Sequence, residues 1–144
     1  MGTTRIRKLA CLDLFAGCDD RQLRGIDSSC TEVAVGPGRV LCTEGDIGRE
    51  FFVLADGGVT VSRDGDPLAD LGTGDWFGEI ALTSRRGLRI ATVVTTAASR
   101  LLVFDPREFR AMVGRCPLVE RRLKVSSVLR TASYIASRHD VALL

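Results

Sequence analysis

Between Thr31 and Phe104 the chain alternates short runs of Val, Leu, Phe and Thr with clusters of Gly, Asp and Pro. That texture predicts strands near Thr31–Val35, Val40–Thr43, Glu50–Ala55, Val59–Arg63, Pro67–Leu71, Ile90–Val94 and Ser99–Phe104. The breakers fall where turns belong: Gly36-Pro37-Gly38, Gly45-Asp46, Asp56-Gly57-Gly58, Asp64-Gly65-Asp66 and Gly72-Thr73-Gly74-Asp75. Asp and Gly suit tight turns because they tolerate left-handed backbone. Many short strands with this punctuation indicate a sandwich or barrel. Residues 1–30 read instead as helix and turn, with Asp19 or Asp20 capping a short helix over Arg21–Ser28 that turns Leu23 and Ile26 inward. Past Phe104 the period changes. Asp105-Pro106-Arg107-Glu108 is a helix start, with Asp at the N-cap, Pro at N1 and Glu at N3. That helix is expected to stop at Gly114. A second runs from Leu118 to about Ser137, its stripe drawn through Leu118, Val125, Val128, Ala132 and Ile135. The expected fold is mainly β with flanking helices: an antiparallel, jelly-roll-like β-roll over 31–104, an N-terminal helical segment over 1–30 and two C-terminal helices within 105–144, all one domain.

Composition narrows this further. The 144 residues are 45% hydrophobic and 26% charged, enough for a core without staples. A net charge of +2 is too mild for a nucleic-acid surface. Five cysteines, Cys11, Cys18, Cys30, Cys42 and Cys116, are odd in number and lack C-x-x-C spacing. They read as small buried hydrophobes of a cytoplasmic protein. The start has no apolar signal region, Ile6 stands where a myristoylation pattern wants Ser or Thr, and no run has membrane-spanning length. The single histidine, His139, leaves no material for a histidine-rich metal site or a Ser-His-Asp arrangement, so no catalytic role is expected. For the same reason a cupin-type metalloenzyme, which needs several strand histidines, is excluded.

The candidate chemistry lies in Phe77–Val93, FGEIALTSRRGLRIATV. Phe77-Gly78-Glu79-Ile80-Ala81-Leu82 can begin one helical turn whose first N–H groups are unpaired, and Gly78 allows close approach. Glu79 is an acceptor suited to hydroxyl donors. Arg89 can pair bidentately with a phosphate. Together they imply a ribose phosphate. Glu79 and Arg89 also admit a plain salt bridge closing the loop. Arg85 and Arg86 add positive charge that either steers an anion or faces solvent.

The flanks add a further pattern: Glu44-Gly45-Asp46, Phe51-Phe52-Val53-Leu54, Gly57, Val59, Val61, Leu71-Gly72, Gly74-Asp75, Phe77-Gly78-Glu79-Ile80-Ala81-Leu82, then Arg89-x-Ala91-Thr92-Val93. Over about residues 9–137 this resembles the cyclic nucleotide-binding domain family, which includes catabolite activator proteins and the regulatory subunits of cAMP-dependent protein kinase. The resemblance implies a cAMP-binding regulatory domain. Glu79 would accept the ribose 2′-hydroxyl and Arg89 would pair with the cyclic phosphate. Gly78, Ile80 and Ala81 would line sugar and phosphate with their backbone, next to Ile90 and Ala91. Val61 and Leu68 would touch the purine or simply pack the core. Tyr134 on the last helix would stack on or donate to the base, or anchor the helix. Arg130 would reach Glu79 or the purine. Ile90 departs from the Ala, Ser or Thr often found after the arginine and offers no hydroxyl, so cAMP is expected over cGMP. Leu88 likewise stands where the family often has proline.

The resemblance also implies that the last helix moves when the pocket fills and so controls an effector of unknown identity. The stripe on residues 118–137 would either pair two copies or pack on the β-roll. About seven residues remain after Ser137, no room for a helix-turn-helix, so the chain is expected to be either a regulatory piece of a larger protein or a sensor acting in trans. The alternative is a domain of the same fold that has lost its nucleotide and serves as a structural or dimerising module.

Overall fold

The computed structural model describes residues 2–143, with side chains described for residues 5–131 and for Ser133. The chain runs as α1 (Gly2–Ala10), a 3₁₀ turn at Asp13–Phe15, α2 (Asp20–Asp27), β1 (Thr31–Val35), β2 (Val40–Cys42), β3 (Phe51–Asp56), β4 (Gly58–Arg63) and β5 (Asp66–Gly72). It continues as β6 (Trp76–Phe77), α3 (Glu79–Thr83), β7 (Thr92–Thr95), β8 (Ser99–Phe104), α4 (Pro106–Arg115) and α5 (Pro117–Leu143). The strands form two antiparallel four-stranded sheets, ordered β1-β8-β3-β6 and β2-β7-β4-β5. This is the mainly β fold with flanking helices that the pattern predicts.

β3 explains how the layers stack. Its residues Phe51, Phe52, Val53 and Leu54 are all buried, so the strand shows no polar face. Side chains alternate across a strand. Phe51 and Val53 enter a core beneath the helices with Phe15, Phe104, Phe109, Met112, Val119 and Leu123. Phe52 and Leu54 enter the core between the sheets with Val59, Val61, Phe77, Val93 and Leu101. The Phe51 ring lies 5.7 Å from Phe104 and 5.1 Å from Phe109. Phe51→Ala is therefore expected to cost about 3–5 kcal/mol, measured as a drop in the urea midpoint.

Two helices are held by capping boxes, and of Asp19 and Asp20, both admitted by the sequence, Asp19 is the cap. The Gln22 amide donates to Asp19 Oδ1 at 2.8 Å and the Asp19 amide to Gln22 Oε1 at 2.9 Å. The Glu108 amide donates to Asp105 Oδ1 at 2.8 Å, and Pro106 opens α4. Such caps satisfy backbone donors that a helix start leaves without partners.

Within the helical segment expected over 1–30, α1 occupies Gly2–Ala10 and buries Ile6 and Leu9. Other expectations are corrected. β6 is too short to leave a periodicity. α4 continues through Gly114 to Arg115, because a glycine costs a helix only about 1 kcal/mol and does not by itself end it. The strand expected at Ile90 begins at Thr92. The Arg89 amide donates to the Asp46 carbonyl at 2.8 Å and the Arg89 carbonyl accepts from Gly45 at 2.9 Å, so this residue pairs with the loop before β3. Cys42 and Cys116 are buried as expected, whereas Cys11 is exposed. Burial pushes the Cys42 thiol up to about 11 and the Cys30 thiol up to about 12, so both stand protonated and react slowly at neutral pH.

The stripe on α5 is also corrected. The helix turns Val119, Leu123, Ser126 and Arg130 toward the body of the protein, at steps of three and four. Val125 and Val128, which were to pair copies or pack on the roll, are 56% and 68% exposed, and Leu129 is 64% exposed. Val125 and Val128 do not pack on the β-roll, while Leu129 lies at its edge. Ala132 and Ile135 lie outside the residues with described side chains. Among the described residues no helix is long and apolar enough to cross a membrane.

Candidate ligand pocket

The second sheet, α3 and α5 enclose a cavity of about 240 Å³. Val61 of β4 and Leu68 of β5 form its apolar side. Gly78, Glu79, Ile80 and Ala81 form a second side, and Arg89, Ile90 and Ala91 a third. Leu129, Arg130 and Ser133 close it from α5. Every site residue expected from sequence is thus brought to one cavity except Tyr134, which lies outside the residues with described side chains. Ile90 is half-buried in the wall and does not plug the space.

Local geometry places the two charged groups. β6 delivers Phe77, whose ring stacks on Phe52 at 4.8 Å. Gly78 then takes φ +96° and turns the chain into α3. A Cβ at Gly78 would lie 2.8 Å from the Glu50 carbonyl oxygen and 2.9 Å from Arg89 Nη1. Gly78→Ala therefore combines a left-handed backbone with a clash against the arginine. It is expected to lower stability by about 1–3 kcal/mol and to displace the guanidinium, seen as a lower melting midpoint together with weaker anion binding. Gly48 guards the other side of the same arginine, since a Cβ there would come within 2.6 Å of Arg89 Cζ. Sequence reading did not single out Gly48.

Arg89 is 8% exposed. Its Nη1 donates to the Gly78 carbonyl at 3.2 Å and its Nη2 to the Glu50 carbonyl at 2.9 Å. The guanidinium also lies 5.8 Å from the Phe52 ring centroid. No acidic side chain among the described residues forms an ion pair with it. The guanidinium is thus anchored by neutral carbonyls, with its charge uncompensated at the cavity wall. Glu79 and Arg89 do not form the salt bridge that the sequence also admitted.

Glu79 is paired elsewhere. Its side chain is 1% exposed, and its Oε1 accepts from Arg130 Nη1 at 2.6 Å. Arg130, expected to reach either Glu79 or the purine, is placed on Glu79. Ser126 Oγ lies 3.4 Å from the same Oε1 and accepts from Trp76 Nε1 at 3.1 Å. Arg130 Nη2 donates to the Trp76 carbonyl. Trp76, Ser126, Glu79 and Arg130 therefore tie α5 to β6 and α3. Sequence reasoning missed Trp76 and Ser126; the signal available was that a half-buried indole N–H usually finds an acceptor. The other carboxylate oxygen, Oε2, is buried with no hydrogen-bond partner. An unpaired carboxylate oxygen is costly to bury and invites a donor.

Among the described residues no group of three or more His, Cys, Asp and Glu is placed to hold a metal. Outside the cavity, Arg85 and Arg86 are exposed on the loop after α3.

A small-ligand-binding β-roll, with a glutamate and an arginine on one cavity, is the class of protein these features define. Residues 32–116 match the family model described as "Cyclic nucleotide-binding domain", and the chain belongs to that family. It is 32% identical over 144 residues to human cyclic nucleotide-gated channel beta-3, covering 92% of this chain and 18% of the channel. It is 30% identical over 102 residues to the cAMP-dependent protein kinase regulatory subunit of Schizosaccharomyces pombe, covering 70% of this chain and 24% of the subunit. The chain thus spans about a fifth of the length of these curated relatives. The cAMP-bound structure of PfPKA-R superposes with a TM-score of 0.80 at 19% identity, covering 98% of this chain and 47% of that one, which shows a shared fold.

Proposed function

We propose that the chain is a regulatory domain that binds cAMP in the cavity between the second sheet and α5. The observation that carries this reading is the pairing of two unmet demands at one cavity. Glu79 Oε2 is a buried acceptor without a donor, and Arg89 is a buried cation without an anion. A cyclic nucleotide meets both. Its ribose 2′-hydroxyl donates to Oε2, its phosphate pairs with Arg89, and the first amides of α3, which have no acceptor within the helix, face sugar and phosphate. Gly78, Ile80 and Ala81 line that end with backbone. Val61, Leu68, Ile90 and Ala91 contact the purine. Ile90 offers guanine no hydroxyl, which favours cAMP. The kinase relative is named for cAMP and the channel for cyclic nucleotides in general.

The role is one of binding rather than catalysis, in one domain. Glu79 gives it a way to report occupancy, because Oε1 holds α5 through Arg130 while Oε2 is left for ligand. A ligand that takes Oε2 and leans on Leu129 and Ser133 acts on the same helix that Oε1 holds. A ligand shifts such an equilibrium only through its different affinity for the two positions of the helix. The effector is a covalently joined or separate protein of the cytoplasm. The exposed Val125 and Val128 offer a surface on which two copies pair. The test is calorimetric titration of folded protein with cAMP, cGMP and 2′-deoxy-cAMP. Micromolar or tighter cAMP binding, weaker for the other two, is expected. Absence of heat with all three would favour the module that has kept the fold and lost the ligand.

A further inference from the structure

Cys18 and Cys116 play no part in the cavity. Cys18 lies just before α2, and Cys116 caps the end of α4, directly before Pro117 at the head of α5. Both belong to the core beneath the helices, Cys116 fully buried and Cys18 partly exposed. Each thiol shifts the other's pKa, Cys116 lowering that of Cys18 and Cys18 raising that of Cys116, as neighbouring groups do. The two chain segments also run side by side. A Cβ on Gly17 would sit 3.2 Å from Leu118 Cδ1. Gln22 Nε2 donates to the Arg115 carbonyl at 3.3 Å, and Arg122 Nη1 to the Leu14 carbonyl at 2.9 Å. The thiol pair sits within this clasp.

The geometry points to a Cys18–Cys116 disulfide as an oxidative modification site that locks the head of α5 to the N-terminal helical segment. The oxidant is a low-molecular-weight disulfide such as glutathione disulfide. The thiolate of Cys18, the more accessible partner, attacks one sulfur of the reagent. The reagent's S–S bond breaks, a mixed disulfide forms, and the departing thiolate takes up a proton. Cys116 then loses its proton and attacks the Cys18 sulfur, releasing the second small thiol. Two protein thiols are oxidised and one reagent disulfide is reduced to two thiols. The second step is internal, so the reagent never has to reach buried Cys116. Burial holds both thiols above their ordinary value, Cys116 at about 11. The neighbouring charges, Asp19 against Arg122 and Arg115, oppose one another. The lock therefore forms slowly at neutral pH and faster in mild alkali.

The bond would close a loop of about 100 residues, which constrains the unfolded chain strongly. Its effect on α5 rests on the regulatory reading above; its formation does not. The test uses the Cys11→Ser protein, so that the exposed thiol does not interfere. Mild alkaline incubation with glutathione disulfide is expected to remove two hydrogen masses and to give a linked Cys18–Cys116 peptide. The melting midpoint should rise by on the order of 5–10 °C, and a reductant should reverse the change. Cys18→Ser should show none of this. A product that stops as a glutathione adduct, or a bond that leaves the midpoint unchanged or lowers it, overturns the proposal. Trp76 emission is then followed during cAMP addition. The oxidised protein is expected to bind yet show a response at least tenfold smaller than the reduced one; an equal response overturns the lock. If the reduced protein binds no nucleotide, the regulatory reading fails while the mass and melting results still decide the disulfide.

Discussion

Arg89→Ala is expected to abolish useful cAMP binding while leaving a folded protein. The guanidinium is the buried cation of the cavity, without an acidic partner among the described residues, and is aimed by the carbonyls of Gly78 and Glu50. Removing one partner of a desolvated, hydrogen-bonded charge pair costs about 2–5 kcal/mol, or roughly 30- to 5,000-fold in affinity. Part of the change also falls on stability. Two carbonyls lose a charged donor, an expected cost of about 1–3 kcal/mol. Arg89→Lys separates the two effects. A lysine keeps the charge but cannot serve two carbonyls and a phosphate with one fixed fork, so it should recover stability more than affinity. Denaturant midpoints alongside calorimetric affinities make the comparison. Nucleotide binding equal to that of the parent in both variants would remove Arg89 from the site.

Glu79→Ala is expected to act on the ligand and on α5 together. The carboxylate holds Arg130 with one oxygen and keeps the other for the nucleotide. Without it Arg130 loses its partner at the cavity wall. Breaking a buried pair from one side costs about 3–5 kcal/mol, and the Arg130 side chain, still 23% exposed, can turn outward, which places the cost at about 3 kcal/mol or below. The expected results are a lower unfolding midpoint, at least tenfold weaker cAMP binding and a red-shifted emission of Trp76 as α5 loosens. Trp76 is the single tryptophan, so the signal has one source. Arg130→Ala should reproduce the loosening with a smaller loss of affinity. The double variant should be far from additive, because both changes remove the same contact. Additive effects would mean that Glu79 does not couple cavity and helix.

Much of this was legible in the sequence for identifiable reasons. The cap at Asp105 declares itself through side-chain spacing, whereas for α2 the sequence narrows the cap only to Asp19 or Asp20. The strands declare themselves because Val, Leu and Phe recur between Gly and Asp turns. Glu79 and Arg89 carry the chemistry in a recognisable order. What stayed hidden depends on tertiary contact. The α5 stripe was drawn through Val125 and Val128 because they are apolar, yet the helix turns Ser126 and Arg130 inward to meet Glu79. A functional face that buries polar groups defeats a hydrophobic pattern. Gly48 matters only because Arg89, far along the chain, passes over it. β6 is two residues long, and Trp76 within it gains its meaning from Ser126 across the fold.

The most direct measurement is a ¹⁵N–¹H correlation spectrum of the labelled protein titrated with cAMP to saturation. Large shifts are predicted for the amides of Gly78 to Ala81, for Arg89 to Ala91 with the Arg89 Nε–H, and for the Trp76 indole, with little change around Val33 on β1 and Val40 on β2, which do not line the cavity. A saturating titration that leaves Gly78–Ala81 and Arg89 unmoved, or that moves only residues away from them, would contradict nucleotide binding at this cavity.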